Sequence, residues 1–407
     1  MASDQTFVVV GGGHAGGRAA EAMRMAGFDG AITVIGQEPY VPYERPPLSK
    51  ELLATDDGPE GCFVNTAEYY SDNKIDLRLD CTARAIDTGS RHVTLEGGGT
   101  VSFDKLLLAT GGRVRPLEVP GADLEGVHYL RGIDDSQAIR QELTANRSIV
   151  VIGGGFIGLE VASSARSRGC RVTVIELQDV LLGRVTDPEI GRMYAELHRG
   201  HGVEVLTGLS VERLEGDGRV SQVVCAGGKT VNADAVIVGI GIIPNVELAA
   251  AAGIATDNGI TVDQYGETSA PGIYAAGDAA NHPNPILGHR LRLESWQNAQ
   301  NQAIAVARNM CGEQEPFAEV PWFWSDQYDV NLQIAGAPSS WDRLVTRGAP
   351  ASGKFMVFYM AGDRVVAANA FNLGRDMRFA KKLIESARAV SDADLMNEDM
   401  KLRDLTA

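Results

Sequence analysis

The sequence predicts an α/β chain made of two nucleotide-binding units, one interrupting the other, followed by a C-terminal segment of different character. Three observations predict it. A short apolar run, Phe7-Val8-Val9-Val10, passes directly into a glycine-rich turn. The pattern returns at Ser148-Ile149-Val150-Val151-Ile152, which again runs into glycines. From Pro321 onward the composition shifts to the aromatics Trp322-Phe323-Trp324 and to β-like runs such as Lys354-Phe355-Met356-Val357-Phe358-Tyr359. Short apolar runs bounded by glycine read as buried strands, and their recurrence reads as a repeated βαβ unit.

The first turn, Gly11-Gly12-Gly13-His14-Ala15-Gly16, is a G-x-G-x-x-G. Gly11 would make the tight strand-to-helix turn. Gly13 would let the backbone approach a pyrophosphate. Gly16 would let the helix pack on the strand with its N-terminus aimed at the phosphates. The second turn, Gly153-Gly154-Gly155-Phe156-Ile157-Gly158, repeats the pattern through Gly153, Gly155 and Gly158. One such motif is a weak signal. Two, each between a strand pattern and a helix pattern, have the context that the fingerprint requires.

The acidic residue ending the next strand separates the two sites. After the second turn, Arg171-Val172-Thr173-Val174-Ile175 ends at Glu176. A carboxylate there accepts hydrogen bonds from both ribose hydroxyls and repels a 2′-phosphate. Leu177 and Gln178 follow, with no arginine, so NADH is expected over NADPH. After the first turn, Ala31-Ile32-Thr33-Val34-Ile35 leads to Gln37 and Glu38. Either can serve the ribose, with a solvated turn residue as the other reading of Glu38.

Further along, Gly272-Ile273-Tyr274-Ala275-Ala276-Gly277-Asp278 reads as a strand ending in a polar site, and the tail carries a helix around Lys381, Lys382 and Leu383. No low-complexity stretch or long linker appears. The 407 residues are 44% apolar, with a formal net charge of −16, which argues against nucleic acid as a partner. No apolar run has the length of a membrane helix, and Met1–Gln5 lacks a basic leader, so no secretory signal is expected. The five cysteines, Cys62, Cys81, Cys170, Cys225 and Cys311, are scattered without a Cys-x-x-Cys. A reducing, cytoplasmic location is expected, with neither disulfides nor bound metal.

Six more motifs complete the pattern: Tyr43-Glu44-Arg45-Pro46-Pro47-Leu48-Ser49-Lys50, Leu107-Leu108-Ala109-Thr110-Gly111-Gly112-Arg113, Gly239-Ile240-Gly241-Ile242-Ile243-Pro244-Asn245, the Asp278 segment, Glu294-Ser295-Trp296-Gln297-Asn298-Ala299, and Pro321-Trp322-Phe323-Trp324-Ser325-Asp326-Gln327-Tyr328. In this order they resemble the NADH-dependent ferredoxin reductases of bacterial P450 and aromatic-ring dioxygenase systems, over essentially the whole chain. The resemblance implies a glutathione-reductase-like fold with two Rossmann-type domains. An FAD-binding domain would comprise 1–112 and 244–318, an NAD-binding domain 113–243, and a C-terminal α+β domain 319–407. It implies non-covalent FAD, NADH as substrate and a [2Fe-2S] ferredoxin as partner.

The resemblance also implies residue roles. Ala15 would donate its backbone N–H to FAD phosphate, Gln37 would meet the ribose, and Ala83 would hold the adenine. Thr110 and Arg131 would cross over the FAD, Asp278 would bond its ribitol, and Trp296 would lie near the pyrimidine end of the flavin. His14, Arg45, Ala109, Gly111, Gly277, Ser295, Ile157 and Gly241 complete the expected cofactor contacts. Lys50 and Glu160 would form a pair beside flavin N5 and orient the nicotinamide, with Glu160 on the first turn of its helix. The bland alternatives are a solvated loop lysine and a charge at a helix N-terminus. One of Trp322 and Trp324 would reach the flavin and the other serve the core. Arg290, Arg292 and Arg308 are candidates for a basic ferredoxin-docking patch, or plain solvated charges. Two rivals remain. A disulfide reductase needs a redox cysteine where this chain reads Pro42-Tyr43-Glu44-Arg45-Pro46-Pro47. A flavoprotein of the apoptosis-inducing type typically carries targeting sequences and long insertions.

Overall fold

The computed structural model describes residues 4–406 and arranges them around three five-stranded sheets. In the first, the order is Ile273–Ala275, Lys105–Leu108, Thr6–Val10, Ala31–Ile35, Ile75–Arg78, all parallel. In the second it is Val203–Leu206, Arg171–Ile175, Ser148–Ile152, Ala235–Val238, Val127–Tyr129, again all parallel. Parallel strands need crossovers that cover both faces, which is why the central strands Thr6–Val10, Lys105–Leu108, Ser148–Ile152 and Ala235–Val238 are mostly runs of buried Val, Ile and Leu rather than alternating patterns.

Each glycine-rich turn leaves the carboxyl end of a strand whose neighbours are reached in opposite directions. From Thr6–Val10 the chain crosses by the helix His14–Met25 to Ala31–Ile35, while Lys105–Leu108 flanks the other side. The second sheet repeats this around Ser148–Ile152 and the helix Phe156–Ser167. Such switch points open a crevice at the strand ends. Behind the first, His14–Met25 packs on the helix Trp296–Met310 through Ala15, Ala19, Ala22, Ala303 and Ala307. Two antiparallel strands, Gly112–Val114 and Ile242–Pro244, carry the chain between the sheets side by side.

The third sheet is antiparallel, ordered Trp322–Gln327, Val330–Ala335, Arg364–Phe371, Lys354–Ala361, Arg343–Ala349. The helix Gly374–Ser386 covers one face with Met377, Ala380, Leu383 and Ile384. On the other, Leu332, Phe355 and Phe371 share a core with Tyr194 of the helix Pro188–Gly200, from the second nucleotide-binding unit. Thus the tail is no appendage: its sheet closes one side of the central crevice. No helix among the described residues is long and apolar enough to cross a membrane.

Three histidines are buried, and two of them, His198 and His282, lie deepest. Burial pushes both His198 and His282 down to about 4, so both fold in the neutral form. An unfolded histidine titrates near 6.5, so the unfolded chain binds more protons between those values. This part of the stability is complete above about pH 6.5 and is lost as pH falls toward 4, by roughly 1.4 kcal/mol per unit for each histidine. Urea midpoints measured from pH 7 to 4.5 should fall accordingly, and less steeply in His282→Leu. An equal slope in that variant would mean His282 does not titrate on unfolding.

Candidate functional site

The two turns show why glycine stands where it does. Gly11 has φ of +124°, and a Cβ there would lie 2.1 Å from the carbonyl oxygen of Ala109. Gly153 repeats this with φ of +110° and a Cβ 2.4 Å from the oxygen of Gly239. Gly16 and Gly158 do not line the crevice. A Cβ on either would come within about 2 Å of the carbonyl of Gly11 or Gly153, so both act by letting helix and strand touch. Gly13 and Gly155 open on the crevice, and nothing lies within 3.5 Å of a Cβ at either.

One cavity of about 1960 Å³ runs past both turns. That is about twice the upper range for a single small-molecule site. Toward the first turn it is lined by His14, Ala15, Gln37, Glu38, Arg45, Ala83, Ala109, Thr110, Gly111, Arg131, Asp278, Ser295 and Trp296. Toward the second it is lined by Ile157, Glu176 and Gly241, and Lys50 and Glu160 line it as well. Gly277, expected as a cofactor contact, is not a lining residue. It holds φ of +77° and donates its N–H to Gln302 Oε1 at 2.9 Å, which turns the chain so that Asp278 faces in.

Glu38 and Gln37 divide the labour at the end of the first unit. Glu38 accepts from Arg45 at 2.9 Å and from the Tyr43 hydroxyl, so its carboxylate is already engaged. Gln37 is exposed at the cavity and makes no such contact among the described residues. Arg131 pairs with Asp278 at 3.5 Å across the cavity wall. The Thr110 hydroxyl donates to the Asn245 carbonyl at 2.7 Å, so Thr110 meets the cavity as a strut between the two connecting strands. Glu176 sits at the end of its strand with Oε2 accepting from Gly154 N at 2.6 Å and Oε1 from Gln178 N at 2.7 Å. These bonds fix the carboxylate at the rim of the glycine turn.

Lys50 and Glu160 meet. Nζ donates to Glu160 Oε2 at 2.8 Å, and Glu160 is 2% exposed. The tight turn Pro46–Ser49 brings both Ser49 and Lys50 inward. Ser49 Oγ donates to the same oxygen at 2.5 Å, and Ser325 Oγ from the C-terminal sheet donates to Oε1 at 2.6 Å. Three donors, one of them charged, offset the cost of burying the carboxylate. Glu160 lies one turn deeper than expected: its helix starts at Phe156, so it belongs to the second turn and is held by side chains rather than by the helix end.

The aromatic wall corrects a second expectation. Trp322 and Trp324 both line the cavity, stacked at 5.2 Å, and Trp296 meets Trp324 edge-on at 5.7 Å. Trp322 also packs on the core of the C-terminal unit, so it serves both purposes. The three candidate arginines of a basic patch differ in their partners. Arg290 donates to the carbonyls of Val262 and Asn281, and Arg292 pairs with Glu294 at 2.7 Å and donates to the Asp278 carbonyl. Both are engaged within the chain, Arg290 while remaining exposed; Arg308 is exposed and makes no side-chain bond among the described residues. Ser325 carried no expected role. Its signal was a polar residue alternating with Phe323 and Gln327 on one face of an aromatic strand, where an inward-facing polar side chain needs a partner.

Of the cysteines, Cys81 lines the cavity, beside Thr82 and Ala83 and bonded through its N–H to the Gly36 carbonyl. The other four do not, and burial pushes the thiols of Cys62, Cys170, Cys225 and Cys311 up. Raised thiols are poor nucleophiles. Replacing all five with Ala should therefore leave NADH–ferricyanide turnover within about threefold. A loss of two orders of magnitude in a folded variant would point to a thiol in the reaction.

Residues 5–303 match the family model of pyridine nucleotide-disulphide oxidoreductases. The chain belongs to that family. Residues 322–406 match the model described as reductase C-terminal. Among its relatives is the ferredoxin–NAD(+) reductase component of the anthranilate 1,2-dioxygenase system of Burkholderia cepacia, 45% identical over 96% of each chain. Putidaredoxin reductase of Pseudomonas putida is 38% identical over 100% of this chain and 98% of its own. The solved covalent complex of putidaredoxin reductase with putidaredoxin superposes with a TM-score of 0.96 at 37% identity, covering 99% of this chain and 98% of that one. The family fold is the glutathione-reductase-like one that the motif order implied.

The family binds FAD and uses NAD(H), and the site fits both. Its two glycine cradles would be filled by any Cβ, and His14 Nε2, Arg131 Nε and Trp296 Nε1 lack hydrogen-bond partners along the first half of the cavity. Burial, with Arg18 nearby, lowers His14 to about 4, so it meets a cofactor uncharged.

Proposed function

We propose that this chain is the NADH-oxidising reductase that passes electrons singly to a [2Fe-2S] ferredoxin, which in turn serves a P450 or Rieske-type oxygenase. The observation that carries this reading is the single cavity with a glycine cradle at each end and the buried Lys50–Glu160 pair among its lining residues. The relatives named above are ferredoxin reductases of such systems, which supports it. Bound FAD supplies the chemistry, taking two electrons together from NADH and releasing them one at a time.

The chain's own residues hold and orient. Gly13 and Ala15 offer backbone N–H groups to the FAD pyrophosphate, while Gly11 donates its own to the Ile35 carbonyl at 2.9 Å and shapes the turn. Gln37 takes the ribose, while Glu38, with Arg45 and Tyr43, braces the loop beneath it. Arg131 and Asp278 bracket the ribitol. Ser295 caps the helix that begins with Trp296, accepting from Asn298 N at 3.2 Å, and so aims that ring along the flavin. On the other side, Gly155 and Ile157 receive the NADH pyrophosphate and nicotinamide, and Glu176 holds the ribose. Lys50, fixed by Glu160, positions the nicotinamide and places positive charge beside the flavin. The indole wall of Trp296, Trp322 and Trp324 excludes water and leads toward the surface where a ferredoxin docks.

In this reading the FAD-binding domain is 1–112 with 244–318, the NAD-binding domain 113–243 and the C-terminal domain 319–407. The protein works in the cytoplasm, where its five unpaired cysteines stay reduced. The test is anaerobic: purified protein, a slight excess of NADH, and a [2Fe-2S] ferredoxin in large molar excess. The ferredoxin visible band should bleach over many turnovers, two ferredoxins per NADH, and denaturation should release FAD. A protein that takes up NADH electrons but reduces disulfides, and no ferredoxin, would overturn it.

A further inference from the structure

Glu160 is the end point of a buried chain of hydrogen bonds that crosses three elements. Its carboxylate can only accept, so Ser325 must donate its hydroxyl proton to Glu160 Oε1, at 2.6 Å. Ser325 Oγ then accepts from Gln327 Nε2 at 3.0 Å. That orients the amide and presents Gln327 Oε1 to His198 Nε2, 2.8 Å away, which must carry a proton. His198 Nδ1 is left as an acceptor, and the Tyr328 hydroxyl lies 3.1 Å from it. Every donor in the chain points toward Glu160. The side chains of Ser325 and His198 are fully buried, and Gln327 is 1% exposed. The neutral histidine that burial enforces is the form this direction requires.

Stability alone is a poor reason for such a chain. A buried polar series inside an apolar core gains little over well-packed apolar side chains, and it is worse if any member loses its partner. Its members come from the strand Trp322–Gln327 and the helix Pro188–Gly200, and converge on the helix Phe156–Ser167. The Tyr328 N–H donates to Ser163 Oγ at 3.0 Å on that same helix, which locks the far end. The series therefore joins three separate elements and terminates on the one carboxylate that pairs with Lys50.

We propose that Ser325, Gln327 and His198 are positioning residues that hold the Glu160 carboxylate, and through it Lys50, in the geometry for electron transfer from NADH. This rests on the reading that the Lys50–Glu160 pair stands beside the flavin. Removing a donor in the series lets the carboxylate turn and Lys50 drift, while the nucleotide cradles stay intact.

The test follows flavin reduction by NADH in stopped flow, with the visible spectrum of the bound flavin recorded before NADH is added. Ser325→Ala, which removes a hydrogen bond to the carboxylate, should lower the limiting rate by about tenfold or more, and His198→Leu, which removes one between neutral groups, by about two- to tenfold, with NADH affinity unchanged in both. His198→Gln, which keeps a donor near the Nε2 position, should recover most of the rate. Both slowed variants should shift the flavin spectrum in the direction that Glu160→Ala does. In a Glu160→Ala background, His198→Leu should have no further effect on rate or spectrum. Should His198→Leu fail to fold, Ser325→Ala and Tyr328→Phe carry the same comparison. Additive effects in the double variant, or slowed variants with unshifted spectra, would overturn the positioning role. If Lys50→Ala itself left reduction unchanged, the underlying placement of the pair would fail instead.

Discussion

Lys50→Ala should slow flavin reduction by NADH about 100-fold while changing NADH affinity by no more than about threefold, the signature of lost geometry rather than lost binding. The substitution removes what is, among the described residues, the only charged donor to a carboxylate that is 2% exposed, leaving Glu160 with two hydroxyls. Breaking one side of a buried pair costs about 3–5 kcal/mol, because the remaining charge is uncompensated. Glu160→Ala alone strands the ammonium of Lys50 instead, whose other contact is a long bond to the Pro46 carbonyl at 3.3 Å. Removing both partners, in Lys50→Met with Glu160→Ala, abolishes the stranded charge. The double variant should therefore melt above the Lys50→Ala protein and yet be as slow. Ferredoxin reduction by photochemically reduced enzyme should be unchanged in all three, because encounter with the partner depends on surface field and not on this buried pair. A Lys50→Ala protein that reduced its flavin at the unsubstituted rate would remove Lys50 from the site of electron transfer.

The parts of this molecule that were legible in the sequence are those with a fixed chemical spacing. Gly11 and Gly16 could be read because a tight strand-to-helix turn admits no Cβ at those positions, so residue type reports backbone geometry directly. The place of Glu176 at the rim of the second turn was readable for a similar reason, since it follows from strand length. Glu160 was named, but its depth was misjudged, because helix boundaries are the least determined feature of a sequence and one turn changes a helix-end charge into a buried one. Ser325 and His198 were invisible as site residues. Ser325 reaches Glu160 across 165 residues of chain and His198 reaches Gln327 across 129, and no local periodicity encodes which distant polar groups will face one another. The bonds of Arg290 and Arg292 were hidden for the complementary reason: a sequence shows charge but not the backbone carbonyls that will engage it.

NADH should be preferred over NADPH by at least about 100-fold in kcat/KM, because the 2′-phosphate of NADPH would meet a fixed carboxylate at close range, and like charges so placed cost several kcal/mol. Glu176 cannot swing aside to accommodate it. Both of its oxygens accept backbone N–H groups, from Gly154 at 2.6 Å and Gln178 at 2.7 Å. The same bonds mean that Glu176→Ala is not a clean charge deletion. It frees the Gly154 N–H, loosens the turn that cradles the pyrophosphate and should weaken NADH as well as admit NADPH. Glu176→Gln keeps one acceptor and removes the charge, so it should narrow the preference with a smaller loss for NADH. Adding Leu177→Arg puts a cation where an exposed apolar side chain now lines the cavity, 66% accessible, and should raise kcat/KM for NADPH by a further factor of about ten. Steady-state kinetics with both nucleotides at one ionic strength measures each step of the series. Equal kcat/KM values for NADH and NADPH in the unsubstituted protein would place the adenine ribose away from Glu176. A Glu176→Gln variant that gained nothing with NADPH would mean that the shape of the turn, and not the charge at its rim, rejects the phosphate.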